Sequence, residues 1–186
     1  SVSNLIGIAV DNGTRTEQNK FAFQTNDTTA SASDLNTANG LTQTPADYSS
    51  VTTITGSYAH INTLFTAFNA SEVTGLGNEA FTVSGNITTG NANTLNGFTS
   101  GAVTATISDG DMATLAGLAG TGNAYTITVT DGSVAAAALD TLNGKTTEAV
   151  TVNTTTVTGN AADMVTVFQA QGSSITGLDD AAANIN

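Results

Sequence analysis

The stretch TITGSYAHINTLF, Thr53 to Phe65, returns without a gap as TVTGNAADMVTVF, Thr156 to Phe168, 103 residues further along the chain. The likeness extends beyond it, because Val73-Thr74-Gly75-Leu76 recurs as Ile175-Thr176-Gly177-Leu178. A chain that repeats itself at fixed spacing is built from stacked copies of one supersecondary unit.

A shorter period runs beneath the long one. An Ala followed by apolar, Thr and apolar residues begins at Ala80, Ala102, Ala124 and Ala149, spaced by 22, 22 and 25 residues. The nine residues Thr94 to Ala102 align without a gap on Thr141 to Ala149, and Thr37-Ala38-Asn39-Gly40 supplies a third copy. Unit starts fall near residues 21, 51, 81, 103, 125, 150 and 183.

Each unit has two halves. In the first, Val103, Ala105 and Ile107 alternate with Thr104 and Thr106, and Tyr125, Ile127 and Val129 with Thr126, Thr128 and Thr130. Period two with one apolar face marks a half-buried strand. In the second, Asp109 and Asp131 lead into Ala- and Leu-rich stretches, and Ser57 and Asn160 stand in similar N-cap positions, so short helices are expected. The Asn-Gly pairs at Asn39, Asn96 and Asn143 are expected to end those helices in a left-handed residue. The resulting expectation is an α/β solenoid of parallel strand-plus-short-helix coils, about 22 to 33 residues each, over residues 21–186. An all-β solenoid is the alternative, since two-turn helices rich in Thr and Asn are marginal alone. Residues 1–20 are expected to form a separate N-terminal strand segment that serves as an assembly arm.

Composition agrees with a repeat protein and narrows its chemistry. Thr (36), Ala (28), Gly (19) and Asn (19) make up 102 of 186 residues. Only Arg15, Lys20 and Lys145 are basic, against 15 acidic residues, for a net charge of −12. Nucleic acid is thereby excluded as a partner, because phosphate binding needs clustered Lys and Arg. A basic membrane-surface helix is excluded likewise. No apolar run approaches the ~20 residues that cross a bilayer, so membrane insertion is not expected. There is no Cys and hence no thiolate site or disulfide framework. The chain begins at Ser1 without a basic-then-apolar leader, so a secretion signal is expected to have been removed or to lie outside it.

The units Gly122 to Asp131, Thr156 to Asp163 and Gly75 to Ala80 resemble the tandem repeats of very large secreted surface proteins of bacteria, notably marine cyanobacteria. The resemblance covers about residues 21–186. It implies an extracellular, structural or adhesive protein, often with calcium-binding nonapeptides elsewhere, and it transfers no catalytic residues. The nonapeptide run Gly-Gly-x-Gly-x-Asp does not occur in this sequence.

No catalytic motif is present: there is no Gly-x-Ser-x-Gly elbow, phosphate loop or His-Glu-x-x-His, and His60 has no second His or Cys to complete a site. No enzyme is expected, and no cofactor beyond calcium. The calcium candidates are Asp179 with Asp180 and Asp109 with Asp111, together with Asp131, because hard cations need several oxygen ligands on a loop. Helix capping accounts equally for Asp109 and Asp131. Thr82/Ser84, Thr104/Thr106, Thr126/Thr128 and Thr151/Asn153 are expected to stack between coils about 4.8 Å apart. Such a hydroxyl array resembles those of solenoid ice-binding proteins, the third of three functional readings.

The leading reading is a non-catalytic extracellular structural protein that assembles with itself, end to end, into a fibre or surface layer. The second is an adhesin module binding surface glycan or calcium. The assembly residues expected are Leu5, Ile6, Ile8 and Val10, an apolar strand outside the repeat register, and Ile185 in the last coil. Arg15 and Lys20 lie near one end of the chain, Asp163, Asp179 and Asp180 near the other, so opposite ends attract.

Overall fold

A computed structural model of the chain describes residues 22–186. Leu5, Ile6, Ile8, Val10, Arg15, Lys20 and the unit start at 21 lie outside the described residues. The fold is mixed α/β, with parallel sheets and short helices. The described residues divide into two compact units, one of residues 22–84 and 97–102, the other of residues 85–96 and 103–186.

The first unit runs β1 (Thr29–Ser31), α1 (Ala32–Asn39), β2 (Ala46–Asp47), β3 (Thr53–Ser57), α2 (Tyr58–Asn69), β4 (Val73–Thr74) and the start of β5 (Ala80–Ile87). Strands β1, β3 and β5 pair in parallel, with Ala30 beside Ile54 and Ile54 beside Phe81. A second parallel pair sets Ala46 of β2 beside Val73 of β4. Each turn of chain therefore contributes two strands and one helix, where the sequence showed one of each. The second strand is two residues long, too short to display any period.

The second unit holds most of α3 (Thr89–Phe98), then β6 (Val103–Ile107), α4 (Met112–Leu115), β7 (Ala124–Thr126), β8 (Thr128–Val129), β9 (Ser133–Ala135), α5 (Ala136–Asn143), β10 (Val150–Val152), β11 (Thr156–Gly159), α6 (Ala161–Ala170), β12 (Ile175–Thr176) and β13 (Ala182–Ile185). Strand β6 pairs with β7; β8, β10 and β12 form one parallel sheet, and β9, β11 and β13 another. From β9 onward the order of elements repeats that of β1 through β5.

The long repeat is thus real in the internal geometry of each unit. Ser57 Oγ accepts from the His60 amide at 3.3 Å to cap α2, and Asn160 Oδ1 accepts from Ala162 and Asp163 at 2.9 and 3.0 Å to cap α6. Helix α1 packs on α2, and α5 on α6. The Thr residues that weaken such helices are accommodated in one way: Thr37, Thr63, Thr66, Thr94, Thr141 and Thr166 each donate to the carbonyl four residues back. Their hydroxyls are satisfied on the exposed helix face while Leu35, Ile61, Leu64, Leu95, Leu139 and Val167 fill the core.

The short period needs correction. Alignment on Ala102 and Ala124 spaces the strands by 22, yet Thr104 lies beside Ala124 and Ala105 beside Tyr125. Likewise Thr151 lies beside Thr128, not Thr126. Both slips are of two residues, so the apolar face stays inward. Buried Asn123 sets the first: its Oδ1 accepts from the Val103 amide at 2.8 Å and its Nδ2 donates to Asn96 Oδ1 at 2.9 Å. The Asn-Gly expectation also fails in detail. Gly40 and Gly144 close α1 and α5 in right-handed conformation, φ −66° and −70°, and Gly97 lies inside α3.

Candidate functional site

The acidic candidates are dispersed by the fold and engaged mainly at helix ends. Asp109 Oδ2 accepts from the Thr89 amide at 2.6 Å, and Asp131 Oδ2 from the Met112 amide at 2.8 Å. Each therefore serves the helix about twenty residues earlier, not the one that follows it. Asp111 is the true N-cap of α4, its Oδ1 accepting from the Thr114 amide at 2.8 Å. Hydrogen bonding by Thr114, backbone first and side chain second, holds the Asp111 carboxyl below its ordinary range. Asp179 Oδ2 accepts from Gln171 Nε2 at 3.0 Å, and Gln171 Oε1 in turn accepts from the Leu178 amide at 3.1 Å. Asp180 is exposed beside it. Among the described residues, no three of His, Cys, Asp and Glu gather as a metal-binding group.

The Thr rows are split between sheets. Thr55 lies beside Thr82 and Thr106 beside Thr126, but Thr128 belongs with Thr151 and Thr176. The chain changes sheet at Ile127, between β7 and β8, so Thr126 and Thr128 stand in different rows. His60 is exposed in the first turn of α2, and its carbonyl accepts from Asn36 Nδ2 at 2.9 Å. Two open clefts of about 280 and 340 Å³ share Asn39 and Glu72 at their margins. Buried Glu79 turns both carboxylate oxygens to the Gly77 amide, at 3.2 and 2.9 Å, which ties down the loop before β5.

The most distinctive geometry lies at the end of the second unit. Phe65 of α2 is enclosed by rings: Phe68 and Phe81 meet it edge-on, at 5.9 and 5.4 Å, and Phe98 stacks on it at 4.9 Å. It is 1% exposed. Its counterpart Phe168 is only half-buried. The counterpart of Phe81 is Ala183, since Phe81 lies beside Ile54 and Ala183 beside Val157. Phe81 is fully buried, whereas all four residues of β13 are exposed.

Strand β13 bonds β11 on one side, and among the described residues no strand pairs with its other side. Strand β12 is likewise at the margin of its sheet. The two exposed large hydrophobic residues of the described chain, Val165 of α6 (55%) and Ile185 of β13 (62%), both belong to this last turn. Of the expected assembly residues, Ile185 is therefore on an open sheet edge. The sequence placed a unit start near 183 but gave no sign of the half-buried Phe168, which emerges only by comparison with Phe65.

No protein-family model, curated protein or solved structure matches the chain.

Proposed function

We propose that the protein is a non-catalytic, extracellular structural protein whose strand–helix coils form a solenoid that assembles end to end. The single observation carrying this reading is the last turn: a parallel edge strand with Ile185 exposed, and with Ala183 exposed where its counterpart Phe81 is buried. An edge with unpaired backbone groups and apolar side chains is a template for another strand. The engagement of Asp109 and Asp111 at helix starts and of Asp179 with Gln171 supports a role for these residues in architecture. The extracellular setting rests on composition and on the resemblance to secreted surface repeats.

Negative-stain electron microscopy at micromolar concentration, with calcium and with chelator, tests the reading. Filaments or sheets are expected from the unaltered chain and none from Ile185→Lys, which sets a charge on the edge. Loss of filaments in chelator would assign Asp179 and Asp180 to metal-bridged joints. Dispersed short particles under every condition would overturn the proposal and favour a strand that continues from Asn186 in a longer adhesin.

A further inference from the structure

We propose that the first unit carries a binding site for a neutral disaccharide at the two clefts that share Asn39 and Glu72. The site lies wholly within that unit and is independent of end-to-end assembly.

Helices α1 and α2 pack on each other, and both end at these clefts, at Asn39 and Asn69. Helix C-termini carry partial negative charge, which disfavours an anion and favours a ligand that donates hydrogen bonds. The turn after α2 is closed by the Ser71 and Glu72 amides, which donate to the Phe68 and Ala67 carbonyls at 2.9 Å each. Ser71 has φ of +62°, and among the described residues it is the one non-glycine with positive φ. Glycine would hold this turn without strain; serine is strained there and sets a hydroxyl-bearing residue in the cleft wall.

Glu72 is the second sign. Asn39 and Asn143 are the last residues of α1 and α5, and Glu72 and Ser174 immediately precede β4 and β12. In the second unit, Asn143 Nδ2 donates to Ser174 Oγ at 3.0 Å; in the first, Asn39 Nδ2 donates to Glu72 Oε2 at 3.4 Å. A neutral hydroxyl thus makes the clamp at shorter range, and holding the turn does not require a carboxylate. Glu72 is nevertheless the one charged residue lining either cleft.

The polar groups at hand define the ligand. Thr63 and Thr66 donate their hydroxyl protons to the Ala59 and Asn62 carbonyls, at 3.0 and 2.8 Å, so toward a ligand they are acceptors. Asn36 donates through Nδ2 to the His60 carbonyl at 2.9 Å, and its Oδ1 adds another acceptor. Asn39 brings a donor beside the Glu72 acceptor. A hydroxyl both donates and accepts, so a sugar hydroxyl can bridge Asn39 Nδ2 and Glu72 Oε2, whereas an ammonium group only donates and leaves the amide unmatched. Ala67 and Ala70 line one cleft and Pro45 the other, giving each some apolar surface for the C–H face of a ring. Volumes of about 280 and 340 Å³ lie at the small end of ligand sites, which suits one ring in each cleft and the linkage at Asn39 and Glu72.

Titration of the full-length, isotope-labelled chain with maltose, cellobiose, lactose and sucrose at millimolar concentrations, followed by NMR, tests the site. At least one disaccharide is expected to give saturable shifts of the Asn36 and Asn39 side-chain amides and of the Ser71 and Glu72 backbone amides. Glu72→Ser, which copies the clamp of the second unit, should leave the melting temperature unchanged and weaken binding at least about tenfold, as loss of hydrogen bonds to a charged group requires. No saturable shift from any of the four sugars, or unchanged affinity in Glu72→Ser, would overturn the proposal. So would saturation of the same amides by putrescine or calcium chloride without any response to sugar, which would make this a cation site. Filament formation should be the same in Glu72→Ser as in the unaltered chain, so failure of sugar binding and failure of assembly are read separately.

Discussion

The carboxylate of Asp109 accepts a 2.6 Å hydrogen bond from the amide of Thr89, twenty residues earlier, at the start of α3. A cap supplied across turns of chain joins one repeat to the next as well as satisfying an orphan donor. Asp109→Ala is expected to cost about 1 kcal/mol, and Asp109→Asn, which keeps an acceptor, less than half of that. Chemical denaturation measures both. Hydrogen exchange should localise the loss to the first turn of α3; protection there unchanged in the alanine variant would refute the cap.

Gly75 and Gly177 occupy equivalent turns after β4 and β12, with φ of +79° and +90°. A Cβ at Gly75 would collide with the backbone of Ser49, and one at Gly177 with the carbonyl of Val152. Steric collision adds here to a conformation that only glycine adopts without strain. Gly75→Ala and Gly177→Ala should each destabilise by more than about 1 kcal/mol. Gly77→Ala, with nothing within 4 Å of the added carbon, should cost less despite φ of +124°. Thermal melts of the three variants give the order; a Gly77 variant as unstable as the others would show that strain alone decides.

Tyr48 and Tyr125 are both fully buried, but only the Tyr48 hydroxyl is partnered, donating to the Leu35 carbonyl at 2.7 Å. Removing the hydroxyl should therefore have opposite consequences. Tyr48→Phe leaves a buried carbonyl short of a donor and should cost about 1 to 3 kcal/mol, whereas Tyr125→Phe removes an unsatisfied group and should be neutral or stabilising by up to about 1 kcal/mol. Burial also pushes the Tyr125 phenol from 10.0 up to about 12. Its folded state thus keeps a proton that the unfolded chain gives up, and stability falls as pH rises from about 10 toward 12. Burial raises the Tyr48 phenol too, so Tyr125→Phe should lessen the alkaline loss without abolishing it, which equilibrium denaturation at pH 9 and 11 would detect.

Strand and helix halves could be read from the sequence because Val103, Ala105 and Ile107 alternate and because Ser57 and Asn160 are strong caps. The short second strands Val73–Thr74 and Ile175–Thr176 could not, since they are shorter than one full alternation. Register was misjudged by two residues because matching Ala to Ala ignores Asn123, whose side chain takes the place of a backbone acceptor opposite Val103. The acidic residues read as caps correctly in kind. Asp109 and Asp131 were assigned to the wrong helices because a carboxylate reaching across turns leaves no local signature. The half-buried state of Phe168 left no trace in the sequence; its meaning depends on Phe65, whose ring partners come from three separate segments.

Phe65 and Phe168 therefore form a matched pair for testing assembly by energetics. Phe65→Ala empties a site enclosed by three rings and should cost about 3 to 5 kcal/mol in any state of association. Phe168 is half-buried, so Phe168→Ala should cost the isolated chain only about 1 kcal/mol. If a second copy covers Phe168 as Phe81 and Phe98 cover Phe65, the remaining burial free energy belongs to the joint. The concentration at which filaments appear should then rise at least about tenfold in Phe168→Ala, equivalent to about 1.4 kcal/mol per contact. Sedimentation across a concentration series separates the two variants. An assembly threshold unmoved by Phe168→Ala would mean that copies do not meet at this face, whatever else they do.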